Sequence, residues 1–251
     1  MSHDLTGQTA LITGAGSGIG AAMAQGFAAA GARVLVTDKD GAAAQSVARD
    51  IGALSCPLDV TRESDWAAAT AMAKAELGGL SILVCNAGAP VGGSVEDLDL
   101  AAWRHAFAVN ADGAFLGIRS ALPLLRDSAK ASIIAVSSIA AVAARGDMAA
   151  YGASKSALLS LVKSVALHCA HHGWNIRANA ILPAYVDTPM LDAIAPRMDR
   201  LELLKALSKH IPARRIAKTQ DVVEAALYLA SPASGFMTGT EMRLDGGLSA
   251  G

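Results

Sequence analysis

Tyr151 and Lys155 stand four residues apart in AYGASKSALLSLVKSVA, a stretch whose other residues, Lys163 apart, are small, aliphatic or seryl. On a helix, positions i and i+4 share a face, so the phenol and the ammonium point the same way. An ammonium beside a phenol favours the phenolate and lowers a pKa that is ordinarily about 10. A tyrosine tuned in this way can move a proton near neutral pH. Ser138 ends a β-like run thirteen positions earlier and offers a hydroxyl that could hold a substrate oxygen beside the phenol. Taken singly, each has a plainer reading. YxxxK is common by chance as a surface pair, and a serine at a strand end is more often a turn or cap residue.

Such a group has to be held by a scaffold, and the chain alternates short apolar runs with alanine-rich helical stretches almost from end to end. The strand candidates are QTALIT, ARVLVT, LSCPLDV, SILVC, SIIAVSS, IRANAIL and EMRLD. Several are continuous rather than alternating, as parallel strands covered on both faces require. Helices are expected over residues 19–30, 42–49, 63–76, 102–125, 150–171 and 220–230. Repeated βα units predict one α/β domain over residues 1–251, a doubly wound parallel sheet of about seven strands with helices on both faces. Residues 187–218 break the pattern, with Pro189, Pro196, Arg197 and Pro212 and no strand signal. This segment is either a helical lid over a substrate pocket or a solvated helical pair covering the sheet edge.

The first strand runs into TGAGSGIG and then a helix. Gly14, Gly18 and Gly20 permit a tight turn and close approach to a pyrophosphate, and Ser17 and Ile19 stand at the start of a helix whose free N–H groups favour an anion. The spacing is GxxxGxG, although Gly16 is also present. Asp38 ends the second strand, where a carboxylate can accept hydrogen bonds from the ribose hydroxyls of NAD and repel the 2′-phosphate of NADP. Lys39 beside it partly offsets that repulsion, and NAD is the favoured cofactor. Asp59 and Val60 follow the third strand, and Asn86, Ala87 and Gly88 follow the fourth, at carboxyl ends where such sheets bind ligands. Asp59 is suited to the adenine amino group and Gly88 to close passage past the cofactor. Each of these alone is equally a turn former.

Composition narrows the function. With 53% hydrophobic and 17% charged residues, a large core is possible, and the net charge of −1 argues against a nucleic-acid or polybasic membrane surface. MSHDLTGQTA has neither a basic nor an apolar region of a secretory signal. Cys56, Cys85 and Cys169 are odd in number and far apart, forming neither a disulfide framework nor a zinc motif. A soluble, cytoplasmic protein is expected. His168, His171 and His172 lack a local carboxylate and read as surface residues, so no metal site is expected.

In this order, TGAGSGIG, NAG, the serine and YGASK resemble the short-chain dehydrogenase/reductase family, and the resemblance spans the chain. It includes Asn110 in FAVN, the LPAYVDTPM stretch and DGG at Asp245–Gly247. The resemblance implies a Rossmann-type fold and a catalytic set of Asn110, Ser138, Tyr151 and Lys155. Tyr151 is then the general acid/base, Ser138 orients the substrate oxygen, and Lys155 lowers the tyrosine pKa and holds the nicotinamide ribose. Asn110 interrupts its helix and holds a water linking Lys155 to solvent. Pro183, Val186 and Thr188 fall on the segment that contacts the nicotinamide, with Ala184 where the family has glycine. Cys85 replaces a frequent asparagine and is read as a tolerated variation.

The family also implies a homotetramer built through the 102–125 and 150–171 helices. Ala141, Val142, Ala143, Met148 and Met190 are the pocket candidates and suit an apolar secondary alcohol or ketone, with hydroxysteroid, aliphatic and aryl bodies all open. The rivals are an NADPH-dependent 3-oxoacyl-carrier-protein reductase, against which Asp38 counts, and a non-catalytic NAD-binding regulator, which would ordinarily lack the tyrosine or lysine. An enoyl reductase is disfavoured by the three-residue spacing within YxxxK.

Overall fold

The computed structural model describes residues 3–194 and 198–250. Pro196 and Arg197 of the expected lid segment lie outside the described residues. The apolar runs form β1 (Thr9–Thr13), β2 (Arg33–Asp38), β3 (Leu54–Pro57), β4 (Ile82–Cys85), β5 (Ala131–Val136), β6 (Ile176–Pro183) and β7 (Glu241–Leu244). They make one sheet in the order β3-β2-β1-β4-β5-β6-β7. Every pairing is parallel.

The strand period of two divides each continuous apolar run between two cores. Leu11, Leu35, Leu83 and Ile133 face one side, in register across the sheet. Ala10, Ile12, Val34, Val36, Ile82, Val84 and Ile134 face the other. The first face is covered by α3 (Glu63–Leu77), α5 (Gly113–Asp127) and α6 (Ala149–His171), and the second by α1 (Gly18–Ala29), α2 (Gly41–Asp50) and α9 (Thr219–Ala230). Both sides are therefore apolar although no single strand alternates.

Two expectations need correction. The helix expected over 102–125 is two helices, α4 (Leu100–Phe107) and α5, joined by a π-helical turn at Ala108–Asp112, which is the interruption at Asn110 that the family resemblance implied. The wide turn lets the buried Asn110 side chain reach the neighbouring loop and α6. The third strand stops at Pro57, so Leu58, Asp59 and Val60 form the turn that follows it. Between β6 and α9 lie α7 (Met190–Ile194) and α8 (Arg200–Lys209). Arg200 pairs with Asp187 and Asp192, tying the start of α8 to the residues around α7. Among the described residues, no helix is long and apolar enough to cross a membrane.

Small residues set the distance between layers. On α5, a Cβ at Gly117 would lie 2.4 Å from the Trp66 ring, and one at Gly113 would lie 2.7 Å from Val60. Trp66 cannot retreat easily, because it is fully buried and its Nε1 donates to the Val60 carbonyl at 2.9 Å. Gly117→Ala should therefore lower the urea midpoint, with a loss of about 1–3 kcal/mol from overpacking. Gly146→Ala, where a Cβ would meet nothing within 4 Å, should change stability by less than about 0.5 kcal/mol.

Candidate functional site

β1 delivers Thr13 to the central edge of the sheet, where the chain order reverses between β1 and β4. The Thr13 hydroxyl donates to the Val84 carbonyl at 3.3 Å and accepts from the Asn86 and Ala87 amides at 3.0 and 3.1 Å. Asn86 Nδ2 returns to the Thr13 and Gly14 carbonyls at 2.9 and 3.1 Å. These bonds splice the 86–88 loop to the glycine turn. Gly14 has φ 61°, and a Cβ there would lie 2.9 Å from Ala87 Cα. Gly18 has φ 55° and faces Thr188, whose side chain would stand 3.5 Å from an added Cβ. Gly20 does not line the cleft as expected. A Cβ on it would lie 2.2 Å from the Gly14 carbonyl oxygen, so its role is to seat α1 against the turn.

Along the same edge, Asp38 accepts from the Gly16 amide through Oδ2 and from the Asp40 amide through Oδ1, both at 3.0 Å. Asp59 Oδ1 closes a local turn on the Thr61 amide and hydroxyl at 3.0 and 2.7 Å, which holds its carboxyl below the usual range. Asp38, Lys39, Asp59, Val60, Asn86, Ala87 and Gly88 line a cleft of about 880 Å³, together with Gly14, Ser17, Gly18 and Ile19. Pro183, Val186 and Thr188 line it from β6 onward. Ala184 adopts no left-handed conformation, since Arg214 alone among the described non-glycine residues has positive φ. Its amide donates to Leu244 at 3.0 Å, and the methyl is accommodated.

Ser138, Tyr151 and Lys155 line the same cleft. Ser138 follows β5 and accepts from the Ala140 amide at 3.2 Å, opening a 3₁₀ turn at Ile139–Ala141. Tyr151 and Lys155 sit one turn apart in the first half of α6, with Lys155 Nζ 5.9 Å from the centre of the phenol ring. Lys155 is buried and its Nζ donates to the Val136 carbonyl at 2.8 Å. Asn110, also buried, donates to the Ala89 carbonyl at 3.1 Å and to Ser154 Oγ at 3.0 Å, and accepts from the Ala89 amide at 2.8 Å. Ser154 in turn donates to the Tyr151 carbonyl at 2.9 Å. The Asn110 amide thus acts as a brace behind the cleft.

Ionisation differs from expectation. Burial raises the Tyr151 phenol above its ordinary value, and the opposing group is the Ser138 hydroxyl rather than Lys155. Burial also lowers the Lys155 ammonium to about 8 and pushes the nearby Cys85 thiol up to about 12. Cys85 is therefore a neutral, inert thiol. Cys56 and Cys169 are also buried free thiols. His168, His171 and His172 are exposed, and no metal-holding cluster occurs among the described residues.

Of the expected pocket residues, Ala143, Met148 and Met190 line the cleft and Ala141 and Val142 do not. The Ala141 carbonyl accepts from Ser156 Oγ at 2.7 Å and the side chain packs toward the core. Ala140 and Ala144 also line the cleft, with Leu191, Leu207 and Leu248. Sequence reasoning also missed His105, Arg145, Tyr185 and His210, all on the cleft wall. Arg145 lies between Ser138 and Tyr151, and Tyr185 lies between Pro183 and Val186. That placement was the available signal for these two. The histidines come from α4 and from the end of α8 and carried none.

An ammonium driven from 10.5 to about 8 is disfavoured in the fold by about 3 kcal/mol. The folded state releases its proton first, so stability rises with pH between about 8 and 10.5 on account of this group. Lys155→Met should be more stable than the parent at pH 7. That advantage should shrink on moving to pH 9, as read by denaturant midpoints; an advantage independent of pH would show that burial of the charge is not its source.

A family model described as enoyl-(acyl carrier protein) reductase matches residues 14–249. Trans-4-hydroxycyclohexanecarboxylate dehydrogenase of Sinomonas cyclohexanicum is 38% identical, covering 100% of this chain and 96% of its own. The 3-alpha-(or 20-beta)-hydroxysteroid dehydrogenase of Mycobacterium tuberculosis is 36% identical, covering 100% and 93%. The solved 3-ketoacyl-(acyl-carrier-protein) reductase of Brucella melitensis, complexed with NADH, superposes with a TM-score of 0.90 at 34% identity, covering 98% of this chain and 100% of that one. With matches of this extent laid over a seven-stranded parallel sheet, the chain belongs to the short-chain dehydrogenase/reductase family of nicotinamide-dependent oxidoreductases, acting on a small molecule.

Proposed function

We propose that this protein interconverts a secondary alcohol and a ketone with NAD(H), on a substrate of largely apolar body. The observation that carries the reading is that one continuous cleft holds Asp38 and the glycine turn along one stretch and Ser138, Tyr151 and Lys155 along another. The glycine turn is closed so tightly on the 86–88 loop that only a residue without Cβ fits at Gly14, which suits a dinucleotide laid over it. Asp38 receives the adenosine ribose, Asp59 with Val60 borders the adenine, and Pro183, Val186 and Thr188 border the nicotinamide. When bound, the cofactor supplies a positively charged ring that accepts a hydride from the carbinol carbon or, in reduced form, returns it to the carbonyl carbon.

The protein's own part is positioning and proton transfer. Ser138 donates to the substrate oxygen and fixes it beside Tyr151 Oη. In oxidation, Tyr151 takes the hydroxyl proton as the hydride departs; in reduction it returns that proton to the carbonyl oxygen. Burial holds the phenol protonated, so it serves as the acid as built. Acting as the base requires cationic charge beside it, from Lys155 and from the oxidised ring. Lys155 also holds the nicotinamide ribose, and the π turn carrying Asn110 supports a proton route behind it. Residues 187–218 serve as the substrate lid, with Met190 and Leu191 on the cleft wall. A homotetramer formed through α4, α5 and α6 accompanies this reading, supported by the exposed Phe115 and Leu167 on two of those helices.

The names of two relatives place hydroxyls on carbocyclic bodies, in line with the Met148, Met190, Leu191 and Leu207 walls. The reductase similar at 34% identity keeps a second reading in view, reduction of a 3-oxoacyl group on a carrier protein.

Supplied with NAD⁺ and a panel of secondary alcohols, the protein should form NADH, and Tyr151→Phe should lower kcat by at least about 100-fold without weakening NADH binding. Efficient turnover of a 3-oxoacyl carrier protein with NADPH and none of the alcohols would select the second reading. NADH binding without any turnover would leave a binder. Asp38→Asn removes the charge and keeps acceptor atoms, so the preference for NAD⁺ over NADP⁺ should fall by about tenfold. An unchanged preference would remove Asp38 from cofactor selection.

A further inference from the structure

The structure assigns a second recognition element to the substrate half of the cleft: we propose that Arg145 and Tyr185 receive a carboxylate carried on the substrate's apolar body, away from the reacting hydroxyl. This deepens the alcohol/ketone reading and rests on it for the position of the reacting carbon.

Three observations support it. The first is the hydrogen-bond arithmetic of the pair. A guanidinium has five N–H donors. Nε and Nη2 of Arg145 give one each to the two carboxylate oxygens of Asp147, at 3.0 and 2.7 Å, and Nη1 gives one to Tyr185 Oη. Two N–H donors are left. Because Tyr185 Oη accepts from the arginine, its own hydrogen must point elsewhere. Arg145 and Tyr185 line the cleft and Asp147 does not. The pair therefore presents donors to the cleft from both residues, the pattern a carboxylate accepts.

The second is charge segregation. Among the described residues lining the cleft, the carboxylates are Asp38 and Asp59, both on the stretch assigned to adenosine. The substrate stretch carries Arg145, whose partner Asp147 stands outside the lining, and no acid lines it. Apolar side chains of Ala143, Met148, Met190, Leu191 and Leu207 make up the wall around Arg145. A hydrocarbon body ending in an anion matches that lining, with apolar walls for the body and the solvated spare donors of Arg145 and Tyr185 for the anion.

The third is rigidity. Asp147 anchors the guanidinium, and its own backbone carbonyl accepts from the Gly93 amide at 2.8 Å, while the Ala149 amide donates to Gly93 at 3.1 Å. The Tyr185 carbonyl accepts from Ala217 at 2.9 Å, beside the Val186–Ala217 bridge. Donors fixed before binding lose little entropy when the ligand arrives.

The test separates this from a brace between two loops. On the NADH complex, dissociation constants would be measured for unreactive cyclohexyl and alkyl carboxylic acids and their matched amides. The acids should bind at least about tenfold more tightly than the amides. Tyr185→Phe and Arg145→Met should each remove about tenfold of acid affinity, leave amide affinity unchanged and keep the melting temperature near the parent's. Equal binding of acids and amides, or variants that weaken both alike, would overturn the proposal. If acids are preferred yet no alcohol is oxidised, carboxylate recognition stands and the alcohol/ketone reading fails. If alcohols are oxidised and hydroxy acids show no KM advantage over their methyl esters, the reverse holds.

Discussion

An ammonium kept inside a protein must find a partner, and the meeting of β5 and α6 is arranged around that need. Lys155 Nζ donates to the carbonyl of Val136, the last residue of β5. The next residue, Ser137, donates its hydroxyl back to the Lys155 carbonyl at 3.0 Å. Strand end and helix turn are thus tied in both directions. With that turn located, Tyr151 is placed one turn earlier, and Ser138 leaves the strand beside it. The buried stripe of α6, with Ala150, Ser154, Leu158, Val162 and Ala166 at intervals of four, holds the helix to the sheet without a bulky side chain near the tyrosine. The ammonium whose burial is disfavoured is thus the same group that fixes the turn carrying Tyr151.

The other end of the cleft depends on a neutral network of the same kind. Thr13 joins β1 to β4 at the point where the chain turns back through the sheet, and Asn86 closes the loop over Gly14. Both side chains are used to shape the crevice, so what reaches a ligand there is mainly backbone. A glycine-lined crevice suits a common chemical unit, and a carboxylate, Asp38, stands on the lining beside it. Across the cleft, Asn110 repeats the strategy by spending its amide on Ala89 and Ser154. Polar residues behind the cleft position the few that face it.

How much was legible in the sequence follows from how each feature is specified. Parallel strands were readable because burial on both faces forces unbroken apolar runs such as ALIT and IIAV. The glycine turn was readable because its conformation admits few other residues. The break at Ala108–Asp112 was not visible as a boundary: AFAVNADGAF has no proline, and in so alanine-rich a run the small phase shift of a π turn leaves no clear mark. Only the family resemblance pointed to Asn110. Gly20 was misassigned because spacing identifies a glycine that must lack a side chain but not what it would strike. Ala141 failed for a related reason, since lying between Ser138 and Tyr151 in sequence does not decide which wall of a 3₁₀ turn faces the cleft. The desolvation that raises the Tyr151 phenol in the protein alone was not legible, because no spacing encodes the surroundings of the ring.

The two halves of the cleft are built from different kinds of segment, and this explains why the substrate half was harder to read. The cofactor half comes from the carboxyl ends of adjacent strands, where sheet register fixes each residue relative to the next. The substrate half is assembled from α4, the 143–148 loop, the 184–191 segment, α8 and Leu248, joined by side-chain contacts such as those from Arg145 to Tyr185 and Asp147. No single stretch carries a pattern for it. Loops on a rigid scaffold can change their side chains without disturbing the sheet. A cleft organised in this way can keep one proton-transfer and cofactor geometry while the groups that recognise the rest of the substrate are exchanged. On the reading proposed above, the polar residues of the substrate half, rather than its apolar lining, distinguish one substrate body from another.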